Sequence, residues 1–307
     1  MNENVENVAP LRNHRAGFVS IIGKPNVGKS TLMNVLVGEK MSIITSKAQT
    51  TRHRIMGILN GKHEDIPFQL VYSDTPGVVK PAYKLHESMM TFVKGSLEDA
   101  DVVLFVTEVG EKAADHEVLP LLNRTQSPII LVLNKIDLSS DEEVKRKIDE
   151  WEELIQPAAI IPISALHSAN IQTLFDAVIT RLPFHPPYFD EDELTDKPER
   201  FFASEIVREK IFLNYRQEIP YSSEVVISEF KERDDMIVIR AEILVERKSQ
   251  KGIIIGEKGE MLKKIGTQAR IDMEAFFGKK VFLEQHVKVE PEWRSNDKKL
   301  RQFGYEE

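Results

Sequence analysis

Cysteine is absent from all 307 residues. That excludes a disulfide framework and any thiolate metal site. Long apolar runs are missing too. The longest, such as Val102-Val103-Leu104-Phe105-Val106, have the length of a strand, whereas a membrane span needs about 20 residues. Met1 to Arg15 is polar and lacks the apolar centre of a secretory leader, so the expected compartment is the cytoplasm. The eight histidines show no metal-ligand spacing. His86, His116 and His286 read as surface or satisfied polar residues. What remains is a globular balance, 41% hydrophobic and 29% charged, in a chain long enough for two cores.

Charge is unevenly shared. The total is −8, yet residues 247–280 hold nine basic and four acidic side chains, a local +5. An acidic first part repels a polyanion, and this late stretch attracts one unless it is simply a solvated helix face.

The chain is organised around Gly23-Lys24-Pro25-Asn26-Val27-Gly28-Lys29-Ser30. A β-branched run precedes it and an amphipathic run follows, which is the strand–loop–helix context of a phosphate-binding loop. Its glycines let successive N–H groups converge on one phosphate, and the helix N-terminus adds positive potential. Lys29 reaches the β- and γ-phosphate oxygens, and the Ser30 hydroxyl is a ligand for Mg2+.

The polar stretch 42–53, with Thr50 and Thr51, reads as a mobile loop. Residues 54–60 and 68–73 read as a hairpin turning at Gly61-Lys62. The second strand runs into Asp74-Thr75-Pro76-Gly77, where Asp74 suits Mg2+ and the Gly77 N–H suits the γ-phosphate. Residues 78–90 read as a second flexible segment, followed by a helix to Leu97.

Later strands end in Asn134-Lys135-Ile136-Asp137 and in Ser164-Ala165-Leu166. A carboxylate at Asp137 accepts from both the N1–H and the 2-amino group of guanine. Adenine would set a lone pair against it, a mismatch of several kcal/mol. Asn134 braces the site, the Lys135 stem packs on the base, and Ser164 and Ala165 offer N–H groups to the guanine O6. Alternating strands and helices predict an α/β domain with a mostly parallel sheet. It spans 15–183, after a flexible 1–14, and is followed by a proline-rich, acidic linker over 184–199.

Residues 200–292 predict an α+β domain in the order helix–strand–strand–helix–helix–strand, with Phe202, Ile206, Ile211 and Leu213 inward on the first helix. The loop Gly256-Glu257-Lys258-Gly259 between two helices makes this a type II KH arrangement. Its glycines admit a nucleic-acid backbone and Lys258 supplies charge. Ile253, Ile254 and Ile255 are expected to form a groove for unstacked bases, and Lys263 joins Ile255 to Gly259 as a candidate RNA contact. Trp293 reads as a packing anchor, and the tail, 293–307, as charged and mobile beyond it.

Taken together, Gly23 to Ser30, Gln49-Thr50-Thr51-Arg52-His53, Asp74 to Gly77, Asn134 to Asp137, Ser164 to Leu166 and Gly256 to Gly259 resemble the Era family of bacterial GTPases, nearly end to end. The resemblance implies a Ras-like P-loop GTPase domain and a KH domain. It further implies hydrolysis of GTP to GDP, and binding of 16S rRNA near its 3′ region. A role in 16S rRNA processing and small (30S) ribosomal subunit biogenesis follows, as do a monomeric state and a peripheral fraction at the inner face of the membrane. One departure from Ras-like switches stands out: Val78 follows Gly77, and valine cannot orient a water by hydrogen bonds. Related GTPases hold K+ at the position of Asn26. Water positioning is therefore assigned to loop backbone, to Thr50 or Thr51, and to K+, with Lys29 and Gly77 completing the catalytic set and either threonine as an Mg2+ ligand. Arg52 or Arg54 could stabilise phosphate charge, or be solvated loop residues. Two other classes remain: an ATP-dependent P-loop enzyme, and an RNA-binding module whose nucleotide site is structural and hydrolytically idle.

Overall fold

The computed structural model describes residues 13–45, 47–113 and 117–305. The expected flexible N-terminus, apart from its last two residues, and His116 lie outside them. The chain divides into two compact units. One holds the residues up to Glu39, Arg54–Val78 and Val93–Asp196; the other holds Lys40–His53, Val79–Phe92 and the chain from Lys197 on.

The first unit is built from β1 (Arg15–Ile22), α1 (Lys29–Val37), β2 (Ile55–His63), β3 (Ile66–Asp74), the end of α2 (Lys84–Glu98), β4 (Val102–Glu108), α3 (Leu119–Leu122), β5 (Ile129–Asn134), α4 (Asp141–Ile155), β6 (Ala159–Pro162) and α5 (Ile171–Ile179). Six strands lie in the order β2-β3-β1-β4-β5-β6, parallel except for β2. Val102 to Val106 are fully buried, as strands covered on both faces must be. Each such side chain contributes about 2 kcal/mol by leaving water. Helix α4 starts at a capping box, Ser140 with Glu143.

The hairpin turns three residues later than expected, at Glu64 and Asp65, both with positive φ. Gly61 belongs to the strand: a Cβ there would lie 2.8 Å from the Phe68 ring. Helix α2 begins at Lys84, so half of the segment read as flexible is helical. The proline-rich stretch is extended but pinned. Gln69, fully buried, donates to the Phe189 carbonyl (2.9 Å) and accepts from the N–H groups of Tyr188 (2.6 Å) and Phe189 (3.0 Å). The Ile58 N–H donates to Leu194 O (2.9 Å), which covers the edge strand β2.

The second unit comprises α6 (Glu199–Asn214), α7 (Ile219–Ser222), β7 (Ser223–Glu232), β8 (Met236–Val245), α8 (Lys248–Ile255), α9 (Glu260–Phe277), β9 (Lys280–Val289) and α10 (Asp297–Gln302). Its sheet runs β7-β8-β9, with β8 and β9 parallel. Leu213 is 57% exposed rather than inward, and α6 instead buries Glu205, Arg208, Glu209 and Lys210. The tail is structured as far as Tyr305: Trp293 is buried and donates to Ser222 O (3.0 Å), α10 follows, and Tyr305 is buried as well.

Candidate functional site

The phosphate loop joins β1 to α1, and Gly28 at the helix start has φ of 100°, a conformation glycine adopts without strain. A Cβ on Gly28 would sit 2.2 Å from Asn134 Nδ2. Asn134, at the end of β5, donates to Val27 O (2.8 Å) and accepts from the Ala165 N–H (2.9 Å). One buried amide therefore ties the phosphate loop to the Ser164–Ala165 turn.

Lys29 is buried and donates to the carbonyls of Gly23 (3.1 Å) and Lys24 (2.8 Å). Burial pushes its pKa down to about 8, against the opposing pull of Asp74 and Glu111. A buried ammonium of this kind suits an anionic ligand, which would restore the charge that burial opposes. The Ser30 hydroxyl donates to Asp74 Oδ2 at 2.8 Å, and Asp74 is fully buried at the end of β3. Two oxygen donors converging from separate elements fit a hard cation such as Mg2+. Beyond Asp74, Thr75 donates to Ile21 O (2.8 Å) and the Val78 N–H to Gly23 O (3.0 Å). A Cβ on Gly77 would meet Pro25 at 2.7 Å, so the two loops touch only because Gly77 lacks one.

At the base end, Asp137 lies in a 3-10 turn, Ile136–Leu138, entered through Lys135 at φ of 63°. A hydrogen bond from Ser164 holds the Asp137 carboxyl below its ordinary range, helped by its own N–H and by His167 and Lys135. Lys135 pairs with Glu108, a partner no motif announces. The backbone donors expected for the guanine O6 are engaged internally, Ser164 N–H with Ala169 O (3.3 Å) and Ala165 N–H with Asn134. Here Ser164 and Ala165 hold Asp137 and Asn134 in place.

Thr50 and Thr51 belong to the second unit, where Thr50 Oγ1 donates to Lys47 O (3.0 Å) and Arg208 donates to Thr50 O. Neither arginine considered for phosphate charge is a solvated loop residue. Arg54 bonds Ser73 Oγ (3.0 Å) and Asp99 (2.6 Å) in the first unit, and Arg52 is buried within the second.

In the second unit, Gly256 (φ 73°), Lys258 (φ 49°) and Gly259 (φ 82°) turn the chain between α8 and α9. Nothing lies within 4 Å of a Cβ built on Gly259, so that corner stands open. Of the three isoleucines, Ile254 is in the core, while Ile253 is 49% exposed and Ile255 is half-buried against the core. A cavity of about 380 Å3 opens beside the loop, lined by Gly259, Leu262, Lys263, Arg270, Leu283 and Gln285 among others. The last three escape motif reading because they come from the far end of α9 and from β9. Gly266 makes room there, since a Cβ would lie 2.5 Å from Gln285 Oε1.

Residues 18–135 match the family described as 50S ribosome-binding GTPase, and residues 218–294 match the KH domain. The GTPase Era of Geotalea uraniireducens is 47% identical over 296 residues, covering 95% of this chain and 98% of that protein. A crystal structure of Era with MgGDPNP and nucleotides 1506–1542 of 16S ribosomal RNA superposes with a TM-score of 0.90 at 42% identity, covering 96% of this chain and all of that one. An Aquifex aeolicus Era variant bound to GDP and AlF4− gives 0.89 at 43% identity, with 95% of this chain and all of that one covered. By similarity over nearly its whole length, the chain belongs to the GTPase Era family: a GTP-hydrolysing P-loop domain followed by a KH domain.

Proposed function

We propose that the protein is a GTP-driven switch that grips 16S rRNA near its 3′ end and acts in 16S rRNA processing and small-subunit biogenesis. One observation carries the guanine half: the Asn134 amide links the phosphate loop to the turn beside Asp137. Phosphates and base are therefore read by one rigid frame. An ionised Asp137, favoured by Ser164, suits the two adjacent donors of guanine and faces a lone pair in adenine, which speaks against an ATP-dependent enzyme. The RNA half is supported by the open Gly259 corner, the basic residues Lys258 and Lys263, and the neighbouring cavity. Support also comes from the relative that binds both MgGDPNP and a 16S rRNA segment.

In the reaction, Lys29 moves from the loop carbonyls to the β- and γ-phosphates, and the Gly77 N–H faces the γ-phosphate. Ser30 and Asp74 would hold Mg2+, which supplies charge neutralisation when bound. Val78 is buried, so its side chain orients no water. Water positioning falls to the backbone of the 40–53 segment and to Thr50 or Thr51, and Asn26, an exposed loop residue with φ of 67°, would hold K+, which would supply positive charge there. A monomeric state and a peripheral membrane fraction are carried by family resemblance alone. Gel filtration and vesicle flotation test them.

The deciding experiment measures single-turnover phosphate release from GTP and ATP with Mg2+, in K+ and in Na+. It is paired with binding of a 16S 3′-end RNA in the GTP-analogue and GDP states. The reading requires GTP over ATP, and RNA binding that differs between nucleotide states. Equal use of both nucleotides, or RNA binding blind to nucleotide, overturns it.

A further inference from the structure

Strand β9 carries one residue out of pattern. Val281, Leu283, Gln285 and Val287 alternate along it and share the face turned to the core of the second unit. Val281 and Val287 are buried in that core, and Leu283 packs against it. Gln285 stands among them, paired across the sheet with Ala241 of β8. Its side chain lies over α9, where a Cβ on Gly266 would come within 2.5 Å of Gln285 Oε1. A glycine in the middle of an 18-residue helix weakens that helix. Here it clears the room that the amide occupies.

The amide has no internal use. Its Nε2 is buried without a hydrogen-bond partner among the described residues. Other groups lining the same cavity of about 380 Å3 have their own roles. Thr267 donates to Lys263 O (2.9 Å), and Arg270 pairs with Glu274 (2.9 Å), which also accepts from the Val281 N–H (3.2 Å). Leu262 and Leu283 are apolar and partly buried against the core, and Lys263 is exposed. A buried donor left unmatched is costly, and turning the amide about its last torsion only buries the oxygen in its place. Such a group is satisfied by a ligand that brings an acceptor and a donor together.

We propose that Gln285 is a specificity-determining residue of the RNA groove, and that its amide reads the edge of one unstacked adenine. The inference rests on the RNA reading above. An amide sets a donor and an acceptor side by side. Of the four bases, only adenine offers the complementary pair on both its Watson–Crick edge, N1 with N6, and its Hoogsteen edge, N7 with N6. Leu262 and Leu283 supply apolar surface for the base, Lys263 supplies charge for its phosphate, and Gly259 joins the cavity to the open corner of the loop.

The test measures binding of the full chain, in its GTP-analogue state, to a 16S 3′-end RNA. Each adenine is replaced in turn by purine riboside, which lacks only the 6-amino group. The unaltered chain is compared with Gln285→Met, with thermal unfolding measured beside them. Methionine keeps the length and removes both polar atoms, so the fold loses no bond that it had. One replacement should weaken binding to the unaltered chain by about 3- to 10-fold. The same replacement should cost Gln285→Met nothing, while that variant binds the parent RNA about tenfold more weakly with an unchanged salt dependence. An equal cost in both proteins overturns the inference, whether or not the melting temperature falls. So does the absence of any costly adenine in the unaltered chain, or parent RNA bound as tightly by Gln285→Met. Failure of the unaltered chain to prefer the 16S 3′-end RNA over a scrambled RNA of equal length strikes the underlying RNA reading instead.

Discussion

The phosphate loop and the 40–53 segment are both expected to contact the same triphosphate, yet they are held in opposite ways. Loop 23–30 is held by its own unit, through Asn134, Gly77 and the helix it starts. Segment 40–53 is held by the other unit, through Arg52, Lys47 and the Thr50 carbonyl. The first is preorganised, and its ligands need only small side-chain movements. The second is fastened by a buried guanidinium, with Arg52 on Ser223 O and Glu224.

Lys29→Ala strikes the preorganised side and should have the largest effect. Hydrolysis should fall by at least about 100-fold, and triphosphate affinity should fall more than diphosphate affinity. Normal turnover in a stopped-flow phosphate assay would remove the assignment. Asp137→Asn comes next. Guanine affinity should fall about 100-fold and xanthine nucleotides should gain, because the amide offers a donor where the carboxylate accepted. Competition with xanthosine triphosphate reads this directly, and an unchanged preference for GTP contradicts it.

Gly259→Asp probes the RNA side. The corner is open and aspartate tolerates positive φ, so the fold should survive while added negative charge lowers RNA affinity by about tenfold. Hydrolysis without RNA should not change. Undiminished RNA binding would place the RNA elsewhere.

The smallest effect concerns pH. With its pKa near 8, Lys29 is protonated below that value in the nucleotide-free chain and loses its proton above it. Phosphate charge raises the pKa, so binding then takes up a proton. GTP affinity should be flat to about pH 7 and should decline as pH rises through 8, approaching about tenfold per unit. Calorimetry in two buffers of different ionisation enthalpy would detect the proton. Proton release instead of uptake would refute the assignment.

Several features were readable from residue order because their chemistry is local. A glycine-bounded loop before Lys29-Ser30 needs only the strand and helix beside it. The ends of β3 and β5 deliver Asp74 and Asn134 because parallel strands present their carboxyl ends on one edge. The KH order was likewise periodic and local. The errors share a different cause. Leu213 follows the inward spacing of α6 but points out, because that helix buries Glu205, Arg208, Glu209 and Lys210, paired with one another and with the distant Thr50 carbonyl, Lys40 and Asp272. The tail looked mobile because its anchor, Tyr305 on Glu224, joins residues 81 positions apart. Ile254 looked like groove wall and lies in the core, since an apolar triplet on a short helix cannot state which member faces inward.

Sequence alone therefore determined the chemistry on offer: a phosphate-loop motif, a carboxylate proposed to select guanine and a glycine corner proposed to take RNA, each encoded within a few consecutive residues. Only the folded chain decided how that chemistry is held. It placed the Asn134 amide between two loops, gave the groove Arg270, Leu283 and Gln285, and buried Arg52 in a socket of distant carbonyls. The physical reason is range. Backbone conformation and motif chemistry act between neighbours along the chain, whereas burial and the satisfaction of buried charge depend on what the fold brings together across it.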